Sequence, residues 1–322
     1  MEFEFIRYKT VTLNHMTESL IEFHWWVSGA GYKWVSATTM GQESPPRPLP
    51  DNATEDETRS HRRAEFRSRP RLFLTDGIPL GSRDESRRVF CPLKDFRGVL
   101  YRRFAQTPLD PDGIKKFADA FGLLGGDIGD MIPVERIDAT RDFMGAGEDL
   151  NDWLFEITRM AEAVELWDLV RERDTKRLSE LVFWDEDSVM LKWSDRRFLL
   201  IAASTHHKEL FEEMRPGDLV EPVLLAVQKI VDEQLWKKGR AGPRLLWDVD
   251  KRTLSQRVMP NGLIGAIWLD FLLAIDGNTD YRPCLNCKAP FPVTPKDQRR
   301  KFCSDRCRVA HHRKKRNQGG SP

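Results

Sequence analysis

Four cysteines near the C-terminus fall in two close pairs, Cys284 with Cys287 and Cys303 with Cys307, and fifteen residues separate the pairs. Each pair can chelate one ion locally, and the loop between them needs to fold back only once, which suits a tetrahedral Zn²⁺ site. With all four vertices taken by thiolate, no position is open for an activated water, so the expected metal holds structure and performs no catalysis. Two disulfides, or ordinary buried thiols, are the other reading of these residues. No secretory signal is read at the start of the chain and the fifth cysteine, Cys91, has no sequence partner, which favours reduced thiols and a cytoplasmic setting.

The residues around the cysteines predict how they are held. Ser304 follows the third cysteine and is placed to cap a helix starting near Asp305, which puts Cys307 in the first turn, facing the positive end of the helix dipole. The Cys284-Leu-Asn-Cys287 turn is expected to aim backbone N–H groups at sulfur, with Asn286 and Lys288 suited to the tight turn. Phe291 and Phe302 are the expected miniature core, because so small a module buries little else. Either His311 or His312 can replace a thiol as ligand, but four cysteines complete the set, so both are assigned to solvent or to phosphate.

Charge is concentrated in the same place. The chain carries 51 Lys and Arg against 50 Asp and Glu, yet from Cys284 to Asn317 eleven Lys and Arg stand against two Asp. That segment is formally +9 and the remainder −8. Four thiolates and a divalent ion remove two of those charges and leave the module strongly cationic. Such a field favours a polyanion, since each phosphate contact releases condensed counterions. The candidate nucleic-acid contacts are Arg299, Arg300, Lys301, Arg306, Arg308, Arg313, Lys314, Lys315 and Arg316. Duplex DNA is the expected partner and an acidic protein surface the alternative; a solvated basic tail is the plainest reading of the charge alone.

The pattern Cys-x2-Cys-x15-Cys-x3-Cys, with Phe302-Cys303-Ser304 at the third ligand and a basic helix after the fourth, resembles bacterial treble-clef and zinc-ribbon fingers. It is similar to the module that closes the CGNR zinc-finger family of transcription regulators, although this chain reads Cys307-Arg308-Val309-Ala310 at the namesake tetrapeptide. The spacing also resembles that of small bacterial zinc proteins that inhibit DNA gyrase. Upstream, segments 217–228 and 260–268 look like parts of uncharacterised bacterial proteins carrying the same kind of finger. The first resemblance implies Zn²⁺ and a DNA-binding regulatory role, and the gyrase-inhibitor resemblance allows a docking adaptor or inhibitor with an acidic protein partner.

The elements that must position this module predict an α+β fold: a mostly helical body with small antiparallel β elements and a C-terminal treble-clef-like zinc finger. The expected organisation is an N-terminal α/β segment over 1–40, a flexible Pro- and charge-rich linker or loop over 41–70, and a mainly helical body over 71–280. A four-cysteine finger with its basic helix follows over 281–317, with a disordered tail over 318–322. Short strands are expected at Phe3–Ile6, Tyr32–Val35 and Arg71–Leu74. Ile114, Phe117, Ala118 and Phe121 fall on one helical face, and apolar spacing from Glu148 to about Leu181 predicts a long helix. Hairpins are expected over Val189–Ala202 and Leu245–Val258, and Asp218 is expected to open a helix that ends at Lys237-Lys238-Gly239.

The apolar run Leu263–Ile275 is too short to cross a bilayer and is interrupted by Asp270, so it reads as a buried helix, with Asn261 as cap and Gly277 as a left-handed stop. Asp270 is expected to be salt-bridged or to face the surface. No phosphate-loop, nucleophile-elbow or H-E-x-x-H pattern occurs, and His15, His24, His206, His207 and the Asp248/Asp250 pair form no spaced catalytic set. The expectation is a protein that is not an enzyme, has no membrane partner, and uses its body to sense a ligand or to form a homo-oligomer.

Overall fold

A computed structural model of the chain describes residues 23–36, 54, 72–75, 88–134, 143–194, 197–248, 252–277, 280–287, 290–293 and 299–318. The expected strand Phe3–Ile6, the Pro-rich stretch Pro45–Pro50, His15, Lys288 and Asp250 lie outside the described residues. The fold is α+β, with helices separating small antiparallel sheets, and the chain divides into two compact units.

One unit comprises Trp26–Val89 with Thr107–Glu156. Its sheet contains β1 (Lys33–Ser36), β2 (Leu72–Thr75), β3 (Asp130–Val134) and β4 (Phe143–Asp149), in the spatial order β1-β2-β4-β3. The helix α1 (Pro111–Phe121) belongs to the same unit. Its start is local chemistry: the Asp110 carboxylate accepts the Gly113 N–H at 2.7 Å, and Pro111 occupies the first turn, where a missing N–H does no harm. Its apolar face is the predicted one, with Ile114, Phe117, Ala118 and Phe121 all buried. Phe117 meets the rings of Phe121 and Trp153 at 4.7 and 6.0 Å.

In β4, the buried Glu148 accepts the N–H groups of Leu124 and Gly125 at 2.9 and 2.6 Å, satisfying the turn that follows α1. Burial, only partly offset by those bonds, pushes its carboxyl up to about 7. Glu148 was expected to begin a helix; it lies instead in a strand paired with Leu74. The helix α2 (Leu150–Glu172) starts two residues later, where Asp149 accepts the Asn151 N–H at 2.9 Å.

The second unit comprises Met1–Trp25, Phe90–Gln106 and Ile157–Pro322. The single helix expected to reach Leu181 is broken at Arg173, whose φ is 53°, and Asp174 caps a separate helix, Thr175–Leu181, by accepting from Arg177 at 3.1 Å. A three-stranded sheet follows, of β5 (Val182–Trp184), β6 (Ser188–Ser194) and β7 (Arg197–Ala203), in which β6 and β7 are the expected first hairpin and β5 an addition to it. Asp218 opens α3 (Glu221–Asp232) as expected, accepting the N–H groups of Val220 and Glu221 at 2.7 and 3.0 Å. The helix ends in a π turn, Glu233–Lys237, followed by Gly239 at φ 65°. The second hairpin, β8 (Ala241–Asp248) with β9 (Thr253–Pro260), is longer than its apolar residues suggested.

The helix α4 (Gly262–Asp276) buries twelve of its fifteen residues, so it is a central helix and not an amphipathic surface one. It packs against the short helices Leu100–Ala105 and Pro92–Asp95, with Tyr101 and Phe271 rings 5.1 Å apart. Arg102 on the former helix forks onto Asp168 of α2 at 2.7 and 2.6 Å. Gly265 lets α4 approach closely, because a Cβ there would collide with the carbonyl oxygen of Arg240.

Two sequence expectations for α4 fail. Gly277 has φ −72°, an ordinary right-handed end, because its N–H continues the helical ladder to Leu273 at 3.0 Å. Asp270 is fully buried and, among the described residues, makes no salt bridge; Arg97 acts on it only through space. Its carboxylate accepts the N–H groups of Gly98, Leu100 (3.0 Å) and Tyr101 (3.4 Å), capping the helix Leu100–Ala105 from a distance in sequence. No described helix is long and apolar enough to cross a membrane.

Candidate metal centre

Beyond α4 the chain forms a short hairpin of β10 (Asp280–Pro283) and β11 (Pro290–Val293), then the helix α5 (Asp305–Gln318). Cys284 leaves the end of β10, and Cys287 follows in the turn. The Leu285 N–H donates to the Lys301 carbonyl at 3.1 Å, which brings the second cysteine pair back to the first. Ser304 caps α5 as its position in the sequence predicts: its hydroxyl accepts the Cys307 N–H at 3.3 Å, and its carbonyl accepts that of Arg308 at 3.1 Å. Cys307 thus occupies the first turn of α5.

The result is a four-sulfur cluster. One ligand atom from each of Cys284, Cys287, Cys303 and Cys307 lies within 4.8 Å of all the others, and the adjacent sulfurs Cys287–Cys303 and Cys303–Cys307 stand 3.7 and 3.4 Å apart. Sulfurs at about 2.3 Å from one tetrahedral ion are about 3.8 Å from each other, so the separations fit a single thiolate-bound metal. Cys284 is buried with Phe291 and Val293, while Phe302, Cys303 and Cys307 pack against them, which is the expected miniature core. Cys287 is exposed.

The protein already favours anionic sulfur at one end of the cluster. Burial works to raise the Cys284 thiol, but the backbone N–H groups of Cys287, Cys303 and Asn286 outweigh it and bring it down to about 6. Cys303 goes the other way: burial and the neighbouring sulfurs of Cys307, Cys287 and Cys284 push it up to about 12. Cys307 is lowered by its contacts with Cys303 and Asn286. A metal ion held by Cys284, Cys287, Cys303 and Cys307 would displace the remaining protons, since it binds deprotonated thiols. The histidines do not join: the metal-sized group consists of the four cysteines, and His311 and His312 lie 5.2 and 6.3 Å from the Phe302 ring.

The cations divide by environment. Arg306, Arg313 and Lys314 are exposed on α5, where Lys315 and Arg316 also lie, although the side chains of those two are outside the described residues. Arg308 pairs with Asp305 one turn away at 3.0 Å. Arg300 is engaged in holding the finger: its Nε donates to the Phe302 carbonyl at 3.0 Å and its terminal nitrogen to the Cys303 carbonyl at 2.6 Å. The same guanidinium lies 5.5 Å from the centre of the Phe291 ring. Nothing in the sequence separates Arg300 from its basic neighbours, because both carbonyls come into reach only after the chain folds back.

The chain matches no family model, no curated protein and no solved structure. The site therefore stands on its own geometry: a closed set of four thiols, a buried apolar base, and a cationic helix anchored through one of the ligands.

Proposed function

We propose that this chain is a zinc-dependent DNA-binding protein, a transcriptional regulator whose C-terminal finger contacts the phosphate backbone. The observation that carries the reading is the placement of Cys307 inside α5, so the residue that closes the thiol cluster also anchors the cationic helix. Among metals that suit tetrahedral all-thiolate sites, Zn²⁺ is favoured because it is redox-inert and imposes no geometry of its own. When bound to Cys284, Cys287, Cys303 and Cys307 it supplies a closed structural tie.

The chain's own residues do the rest. Ser304 sets the start of α5, Arg300 braces the backbone at Phe302 and Cys303, and Phe291 with Phe302 supplies the base on which the helix sits. Exposed Arg306, Arg313 and Lys314 are free to approach phosphates. Each contact on duplex DNA contributes about 0.9 to the log–log salt slope.

The test is duplex retardation across a salt series for the intact chain and for Cys284→Ser/Cys307→Ser. Steep, salt-sensitive binding by the intact chain and its loss in the variant is the expected result. Undiminished binding by the variant contradicts the reading. An intact chain that carries zinc and binds no DNA points to docking on an acidic protein surface.

A further inference from the structure

A cleft of about 540 Å³ lies beside the thiol cluster, walled by Arg299, Arg300, Lys301, Phe302, Asp305 and Arg308. Its charge is unbalanced. The one carboxylate in the wall, Asp305, is already paired with Arg308 at 3.0 Å. Arg300 is committed to the carbonyls of Phe302 and Cys303, so it fixes the wall while keeping its positive charge there. Arg299 and Lys301 are exposed and make no ion pair among the described residues. Four cations against one carboxylate leave the cleft at a formal +3, with two side chains still able to close on a ligand.

We infer that this cleft seats one phosphate group of a nucleic-acid backbone, as a discrete site distinct from the diffuse contacts along the outer face of α5. The inference rests on the DNA reading for the identity of the polyanion. The chemistry comes from the cleft itself. Converging cations around a concave, partly apolar wall bind an oxyanion at a fixed place, where arginine and lysine hydrogen bonds to phosphate are charge-assisted. The volume exceeds that of a phosphate ion and leaves room for the attached sugar, and Phe302 is the apolar residue of the wall.

The experiment uses the intact zinc-loaded chain and inorganic phosphate at fixed ionic strength, followed by NMR of the arginine side-chain resonances. Saturable shifts of Arg299, Arg300 and Arg308, with Arg313 unmoved, are expected. Arg299→Gln/Lys301→Gln should lower the phosphate affinity by about tenfold or more, whereas Lys176→Gln/Arg244→Gln, at two exposed cations outside the finger, should leave it unchanged. Linear shifts shared by all arginines, or equal effects of the two variants, overturn the proposal. The wild-type shifts decide the matter even where a variant loses its zinc. Duplex retardation on the same samples separates the two readings: saturable phosphate binding without DNA binding keeps the cleft and removes the DNA role, and DNA binding without saturable phosphate does the reverse.

Discussion

The Arg300 guanidinium donates to the carbonyl oxygen of Cys303 at 2.6 Å, so a cation of the basic run braces the backbone that carries a sulfur of the four-thiol cluster. Its second bond, to Phe302, and its position over Phe291 tie the same group to the base of the finger. Arg300 thus acts on the metal centre through the backbone, without touching the ion's place.

Arg300→Lys keeps the charge and removes the planar fork that reaches two carbonyls at once. The expected outcome is a fall in zinc affinity of about 10–100-fold, the range found when outer-shell partners of a metal site are lost. Competition with a chromophoric chelator measures it. At saturating zinc the salt slope of DNA binding should stay the same, because lysine keeps the positive charge that Arg300 places in the cleft; unchanged zinc affinity would show that Arg300 is an ordinary surface cation.

Cys284→Ser should abolish stoichiometric zinc and release α5. This helix has 14 residues and is strongly polar, so it has little to hold it without the thiol cluster. Hydrogen exchange should show protection lost over Asp305–Gln318 and kept in α4, whose main packing partners are the short helices Pro92–Asp95 and Leu100–Ala105, the π turn and the β8–β9 hairpin. Retained protection of α5 in the variant would mean that the metal is dispensable for its order.

Asp270 gives the fold a pH dependence with a defined sign. Burial, opposed by the Gly98, Tyr101 and Leu100 N–H groups, raises its carboxyl from 3.8 to about 7. The folded state therefore binds this proton more tightly than the unfolded chain. The stabilisation it brings is complete below the unfolded value, declines as pH rises through the interval, and is lost above about 7. Asp270→Asn retains an oxygen acceptor but cannot ionise, so its urea midpoint should fall less between about pH 5 and pH 8 than that of the wild type. Parallel pH profiles would contradict the assignment. Glu148 adds a second slope of the same sign, present in both proteins.

Gly265→Ala drives a methyl group into the Arg240 carbonyl, a backbone atom that cannot swing away. A loss of about 1–3 kcal/mol is expected from chemical denaturation, the usual range for overpacking a core. A neutral effect would mean that the approach of α4 to Arg240 can relax.

How far the sequence reveals this protein depends on the range of the forces involved. The helix α1 is legible because Asp110, Pro111 and the apolar spacing from Ile114 to Phe121 act within one or two turns. The metal centre is legible for the same reason, since each cysteine pair chelates locally and Ser304 caps the helix that follows. The strand β4 is not, because Phe143-Met-Gly-Ala-Gly-Glu-Asp149 carries two glycines and no β-branched residue; its pairing with Phe73 and Leu74 makes it a strand. Asp270 and Arg300 belong with β4. One reaches amides about 170 positions away and the other needs a folded-back loop, and neither partner set leaves a local mark.

Metal and polyanion are linked most directly by the anisotropy of a labelled duplex, read while the zinc-stripped chain is titrated with Zn²⁺. If the thiol cluster holds the DNA-contacting helix, affinity should rise with zinc and level off at one equivalent, with the gain absent in Cys284→Ser/Cys307→Ser. Duplex affinity that is the same before and after the titration would contradict the account.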